Sequence, residues 1–291
     1  MNYFSISNRT KKRGKILQTR VYIILFIFFS ISLHLQLKAQ GNINISPSRI
    51  VFEGQKKIME LILTNDGQDS AKYSISFVQI RMTEDGVFQN ITNPDLGQNF
   101  ADKYVRIYPR SVRMGPNKTQ VVRLQLTNTD KLVTGEYRSH LYFKSLIPQK
   151  ALTSSDIRKD SSVLIDIQAT FGITVPVIIR VGESTTKMNI SDLKIETLTD
   201  GTHKLHLTLN RTGNMSVYGD ISVMHIALNG KENKIGLIKG VAVYTPNNIL
   251  RIITNLESNN SVDMKKGKLL VTYSSKSETR PEKFAESELV L

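Results

Sequence analysis

Residues 163–179 read VLIDIQATFGITVPVII, and every odd position from Val163 to Ile179 is apolar: Val163, Ile165, Ile167, Ala169, Phe171, Ile173, Val175, Val177 and Ile179. Period-two alternation places one face of a strand on a core. At about 3.3 Å per residue the run extends to roughly 55 Å, whereas ordinary strands span about 17–20 Å. A single sandwich cannot readily bury both ends of such a strand. Two readings stay open: two core strands broken near Gly172 or Pro176, or one long strand whose leading half keeps apolar side chains for a partner. An unpaired, hydrophobic strand edge is a liability unless another chain uses it, and strand addition is one such use.

The same alternation recurs outward from this segment. Met59, Leu61 and Leu63 alternate with polar or smaller neighbours, as do Val122, Leu124 and Leu126, then Leu141 and Phe143, then Leu205, Leu207 and Leu209. Turn residues separate the runs, among them Asp85-Gly86, Gly115-Pro116-Asn117 and Pro246-Asn247-Asn248. No amphipathic helical period follows residue 41. Many short strands at near-regular spacing predict an all-β chain of two immunoglobulin-like β-sandwich domains, set at an angle with a cleft between them. The expected bounds are 41–182 and 183–291. Residues 150–162 form a polar loop, and 90–103 is an irregular stretch.

The first 40 residues read as a signal peptide. Residues 1–20 carry six basic residues and no acid, Val21–Leu33 is almost wholly apolar, and Lys38-Ala39-Gln40 ends the segment. The apolar run is shorter than the ~20 residues a spanning helix needs, so cleavage after Ala39 or Gln40 is expected, with export to the periplasm. Residues 1–40 hold seven of the 39 Lys and Arg and none of the 25 Asp and Glu, so the headline net charge of +14 falls to about +7 beyond them. No basic stripe interleaved with aromatics marks a nucleic-acid surface. The chain has no cysteine, which removes thiol chemistry and leaves stability to packing. His203 and His206 fall on opposite faces of a strand, so no metal pair is expected. No nucleophile elbow, Walker or zinc-protease pattern is present. No cofactor and no enzyme activity are expected.

Several stretches, in order, resemble the PapD-like periplasmic chaperones of pilus assembly. Residues 43–54 (INISPSRIVFEG) look like that family's opening strand. Residues 59–65 (MELILTN) resemble its second strand, 112–124 (VRMGPNKTQVVRL) its turn and following strand, 135–143 (GEYRSHLYF) the strand before a polar loop, and 175–180 (VPVIIR) its domain exit. The resemblance is weaker over 188–291, where 211–220 (RTGNMSVYGD) and 240–244 (GVAVY) look like second-domain strands.

The resemblance implies a chaperone that lends its long strand to a pilin or fimbrial subunit lacking its last strand. It would hold the subunit's C-terminal carboxylate in the interdomain cleft and deliver the subunit to an outer-membrane usher. Ile165, Ile167, Ala169 and Phe171 would then donate side chains to the subunit. Arg49 matches the carboxylate-binding arginine. The second anchor is a lysine in that family and falls here on Thr174 or Pro176. Arg180 resembles an arginine that pairs across the domain interface, with its expected acidic partner lining up near Arg138. The alternative is a structural or adhesive cell-surface protein of tandem immunoglobulin-like domains, with no client.

Overall fold

Alternating apolar residues form the strands, and the turn residues end them. The structure is a computed structural model that describes residues 43–146, 171–257, 262–276 and 281–291. The expected signal peptide, the polar loop and the ribbon from Val163 to Thr170, with Ile165, Ile167 and Ala169, lie outside the described residues. Ten strands come first: β1 (Ile43–Ser46), β2 (Ile50–Phe52), β3 (Ile58–Asn65), β4 (Ala71–Met82), β5 (Phe88–Ile91), β6 (Val105–Tyr108), β7 (Ser111–Met114), β8 (Thr119–Leu126), β9 (Gly135–Ser145) and β10 (Gly172–Val181). Seven follow: β11 (Lys187–Thr197), β12 (His203–Thr212), β13 (Val217–Ile226), β14 (Glu232–Val243), β15 (Ile249–Asn255), β16 (Lys268–Ser274) and β17 (Lys283–Val290).

The chain is all-β, with four sheets arranged as two sandwiches. In the first sandwich, β1-β3-β8-β6 faces β2-β10-β9-β4-β5, with β7 also paired to β4. Leu61, Leu63, Val122 and Leu124 meet Leu141, Phe143, Val175 and Val177 in its core. In the second, β11-β12-β15 faces β14-β13-β16-β17, and Leu205, Leu207 and Leu209 pack with Ile221, Val223, Val271 and Tyr273. Each such side chain contributes about 1.5–3 kcal/mol by leaving water. Tyr273 is buried to its hydroxyl, which donates to Val241 O at 3.0 Å.

Residues 43–54 do not form one opening strand. They form β1, antiparallel to β3 in one sheet, and β2, parallel to β10 in the other. Pro47 lacks a ladder donor and stands where the chain crosses between sheets. The crossing leaves Arg49 at the rim of the first sandwich, just before β2.

β10 begins at one suspected break point, Gly172, and runs through the other, Pro176. Ser145 N–H donates to Phe171 O at 3.0 Å, so odd residues of β10 direct their backbone groups to β9 and even residues direct theirs away. Pro176 therefore lacks a donor only on the side of β2, whose pairing begins at Ile50 opposite Val177. A Cβ at Gly172 would collide with the Tyr142 ring, so this glycine leaves room for that ring. On its β2 side, β10 pairs only over Val177–Ile179, and 172–176 is an open edge among the described residues.

Where β9 and β10 meet over residues 136–140 and 176–180, the sheet is covered on both faces. Odd residues (Tyr137, Leu141, Phe143, Val175, Val177, Ile179) fill the first core. Even residues face the second sandwich, and Ile178, fully buried, belongs to the second core. Along the odd face the apolar row leaves its own core at the start of β10: Ile173 is 38% and Phe171 64% exposed. Ile178→Ala should therefore cost about 2–5 kcal/mol in urea unfolding. Ile173→Ala on the same strand should cost well under half as much. Equal losses would contradict the two-faced packing.

Candidate functional site

The even face of β9 carries Glu136, Arg138 and His140, all buried. A buried charge survives only when it is paired and hydrogen-bonded, and the second sandwich supplies the partners. Glu136 Oε2 accepts from Ser216 N at 2.9 Å and from Ser216 Oγ at 2.7 Å, and its Oε1 accepts from Thr245 Oγ1 at 3.2 Å. Arg180, opposite Glu136 in register, places Nε 3.5 Å from Glu136 Oε2 as an ion pair without hydrogen-bond geometry. Its Nη2 donates to Ser216 O at 2.7 Å. The buried acidic partner of Arg180 is thus Glu136, two residues before the expected position at Arg138 and on the same strand face, with the exposed Glu53 at 3.9 Å from its Nη1.

Arg138 has a different job. Its Nη1 donates to Ile80 O and its Nη2 to Thr245 O, both at 3.2 Å. Its guanidinium lies 4.2 Å from the centroid of the Tyr244 ring, within cation–π range. Burial lowers its pKa, and Arg49 pushes in the same direction, while Tyr244 and Glu136 oppose. Outside this buried network, Asn247 Nδ2 donates to Met82 O, and Arg251 pairs with Glu84. The β4–β5 turn is thereby tied to the second sandwich.

A cleft of ≈ 550 Å³ opens between the sandwiches, with Arg49, His140, Thr174 and Pro176 on one side and Tyr218 and Tyr244 on the other. Three of the expected site residues thus share one wall system. Arg49 lies 4.6 Å from the Tyr218 ring centroid and 5.3 Å from that of Tyr244. Its Nη2 reaches Ser216 Oγ at a long 3.3 Å. Its Nη1 is sealed from solvent with no hydrogen-bond partner. Thr174 and Pro176, the positions matched to the family lysine, both line the cleft, and neither carries a charge. Ile238, Leu250, Ile252 and Phe88 give the cleft an apolar flank. Phe171 lies apart, exposed just before β10 begins.

His140 is the residue that sequence reasoning missed in this wall. It forms a triangle with the rings of Phe88 and Tyr244, each pair 6.3 Å apart, and its Nδ1 is buried without a partner. Burial, then the cationic Arg138 and Arg49, push its pKa down to about 3. Of the other histidines on strands, His203 bonds Thr197 and His206 pairs with Glu196, while His225, buried in the second sandwich away from the cleft, bonds Lys266 O through Nε2. Among the described residues no cluster of His, Cys, Asp or Glu could hold a metal, and no helix is long and apolar enough to cross a membrane.

No family model and no curated protein matches the chain. Among solved structures it is similar to the E. coli chaperone DraB, at 12% identity and TM-score 0.42 over 86% of this chain and 98% of that one. It is similar to the Pseudomonas aeruginosa CupB2 chaperone at 11% identity and TM-score 0.40, over 85% of this chain and 100% of that one. A chain of the complex between the Salmonella enterica SafA pilin and the SafB chaperone matches at 13% identity and TM-score 0.39, over 87% and 98%. At TM-scores near 0.4 such likeness carries no functional weight, and the site is read from its own residues.

Two outcomes follow from the interface chemistry. Glu136→Ala removes the acceptor of Ser216 N–H, Ser216 Oγ and Thr245 Oγ1 and the nearer acid of Arg180, and should cost about 3–5 kcal/mol in urea unfolding. His140 is neutral in the fold and has a pKa of 6.5 as its ordinary value. The unfolded chain therefore binds its proton first as pH falls, so the fold keeps this contribution above pH ~6.5 and loses it toward pH 3. Relative to His140→Leu, the wild type should lose up to ~1.4 kcal/mol per pH unit through that window. A difference independent of pH would show that His140 is not held neutral.

Proposed function

We propose that this chain is a periplasmic chaperone of the PapD-like kind. It binds pilus or fimbrial subunits, fills their missing strand with its own, and passes them to an outer-membrane usher. In this reading residues 1–40 are a cleaved signal peptide, 41–182 and 183–291 are two immunoglobulin-like domains, and the work is binding rather than catalysis.

The observation that carries the reading is Arg49. Arg49 lines the cleft with Nη1 unpaired and Nη2 held only at 3.3 Å from Ser216 Oγ, so its guanidinium is an incomplete anion site. A carboxylate completes it with charge-assisted, bidentate hydrogen bonds. The open edge of β10 at 172–176 supports strand addition beside it. The apolar row supports it too, since it leaves its own core at Ile173 and Phe171 and continues in sequence through Ala169, Ile167 and Ile165. Each aliphatic side chain buried in a client groove would contribute about 1.5–3 kcal/mol, Ala169 less. Arg180 belongs to the frame that holds the cleft rather than to the client contact.

Co-expression with an immunoglobulin-like subunit lacking its last strand tests the proposal. The wild type should give a 1:1 complex that shields the subunit from proteolysis. Arg49→Ala should weaken it about 10- to 100-fold, and Ile167→Asp should abolish recovery. Full protection by both variants would refute the mechanism.

A further inference from the structure

We propose that His140 is the second anchoring group of the cleft, a neutral imidazole whose N–H donates to the carboxylate that Arg49 captures. This rests on the reading of the cleft given above and names a residue for the anchor that Thr174 and Pro176 cannot supply as a cation. In register, His140 on β9 stands directly opposite Pro176 on β10, and cross-strand partners project from the same face. The donor has therefore moved one strand sideways without leaving the wall. His140 and Arg49 are both neighbours of the Tyr244 ring, and both line the same cavity.

Two observations fix the state of the ring. Its Nδ1 is sealed and has no acceptor, so a proton there would be a buried, unpaired N–H. The proton therefore sits on Nε2, the nitrogen available to the cavity. The charged groups acting on the ring are Arg138 on its own strand and Arg49 before β2, both cationic. The remaining neighbours are Val78 and Pro176 in register on the flanking strands and the rings of Phe88 and Tyr244. Asp85 and Arg251 line the same cleft, farther out. Glu136, the buried acid of this strand, is already committed to Ser216 and Thr245. Around the ring the wall is thus rich in donors, and the one other carboxylate of the cleft lining, Asp85, stands beside Arg251 at 3.9 Å, which leaves the Arg49 end suited to an incoming chain terminus. A neutral second donor adds a directed hydrogen bond without placing a third buried charge beside Arg49 and Arg138.

The test uses the full-length exported chain and a synthetic peptide of alternating valine and threonine, made with a free C-terminal carboxylate or with a C-terminal amide. Calorimetry should show that the wild type prefers the free acid and that Arg49→Ala loses the preference. His140→Phe keeps an aromatic ring beside Phe88 and Tyr244 but should reduce the preference about 5- to 50-fold, and His140→Gln, which keeps an N–H, should restore part of it. In nitrogen-15 spectra of the wild type near neutral pH, His140 should be the neutral Nε2–H tautomer. Its Nε2 resonance should shift with the acid peptide and not with the amide. An undiminished preference in His140→Phe, or an unmoved Nε2 resonance, would overturn the role of His140 while leaving Arg49 as the anchor. Equal binding of both peptides by the wild type would instead remove the cleft reading on which it rests.

Discussion

The Glu136 carboxylate, out of reach of water, is the constraint on which the rest depends. An unpaired carboxylate in that position would cost several kcal/mol, so the chain must bring Ser216, Thr245 and Arg180 to it. Ser216 and Thr245 belong to the second sandwich, Glu136 and Arg180 to the first. Satisfying one acid therefore fixes how the sandwiches meet. Arg211 reinforces the far side, donating to Asn247 O, Gly213 O and Met215 O, which holds the two loops that carry Thr245 and Ser216. The cleft is the space left over once these bonds are made.

Cover on both faces over part of β9 and β10 explains how one strand pair serves both the first core and the wall of the cleft. Odd residues of β9 and β10 are committed to the first core. Even residues pass from structural to receptive along the strands: Glu136 and Arg180 are locked, Arg138 is stacked on Tyr244, and His140, Pro176 and Thr174 face the open cleft. Arg49 reaches the same wall because the chain changes sheets between β1 and β2. The site is built from residues that are far apart in sequence and share one face.

Much of this was legible in the chain itself. Alternation at Leu61, Leu63, Val122, Leu124, Leu205 and Leu207 identified core strands because those sheets have one face in water, where period two is unambiguous. The same rule misleads on β9. There Glu136, Arg138 and His140 alternate with Tyr137 and Leu141 and read as a solvent face, although a second domain covers them. Only the register with Arg180 would have revealed the pairing, and a one-strand alignment set the acid two residues too late. Ile178 escaped for a related reason: in a run that is apolar throughout, periodicity cannot say which core each face enters. Residues 43–54 looked like one strand because a change of sheet leaves no mark in alternation.

The most direct measurement is a crystal structure of the chain with a bound subunit. The subunit's terminal carboxylate should lie within about 3 Å of the Arg49 guanidinium, inside the cleft, with the last strand the subunit does possess alongside the edge of β10. A terminal carboxylate in solvent, with Arg49 still turned to Ser216 and the edge of β10 open, would contradict it.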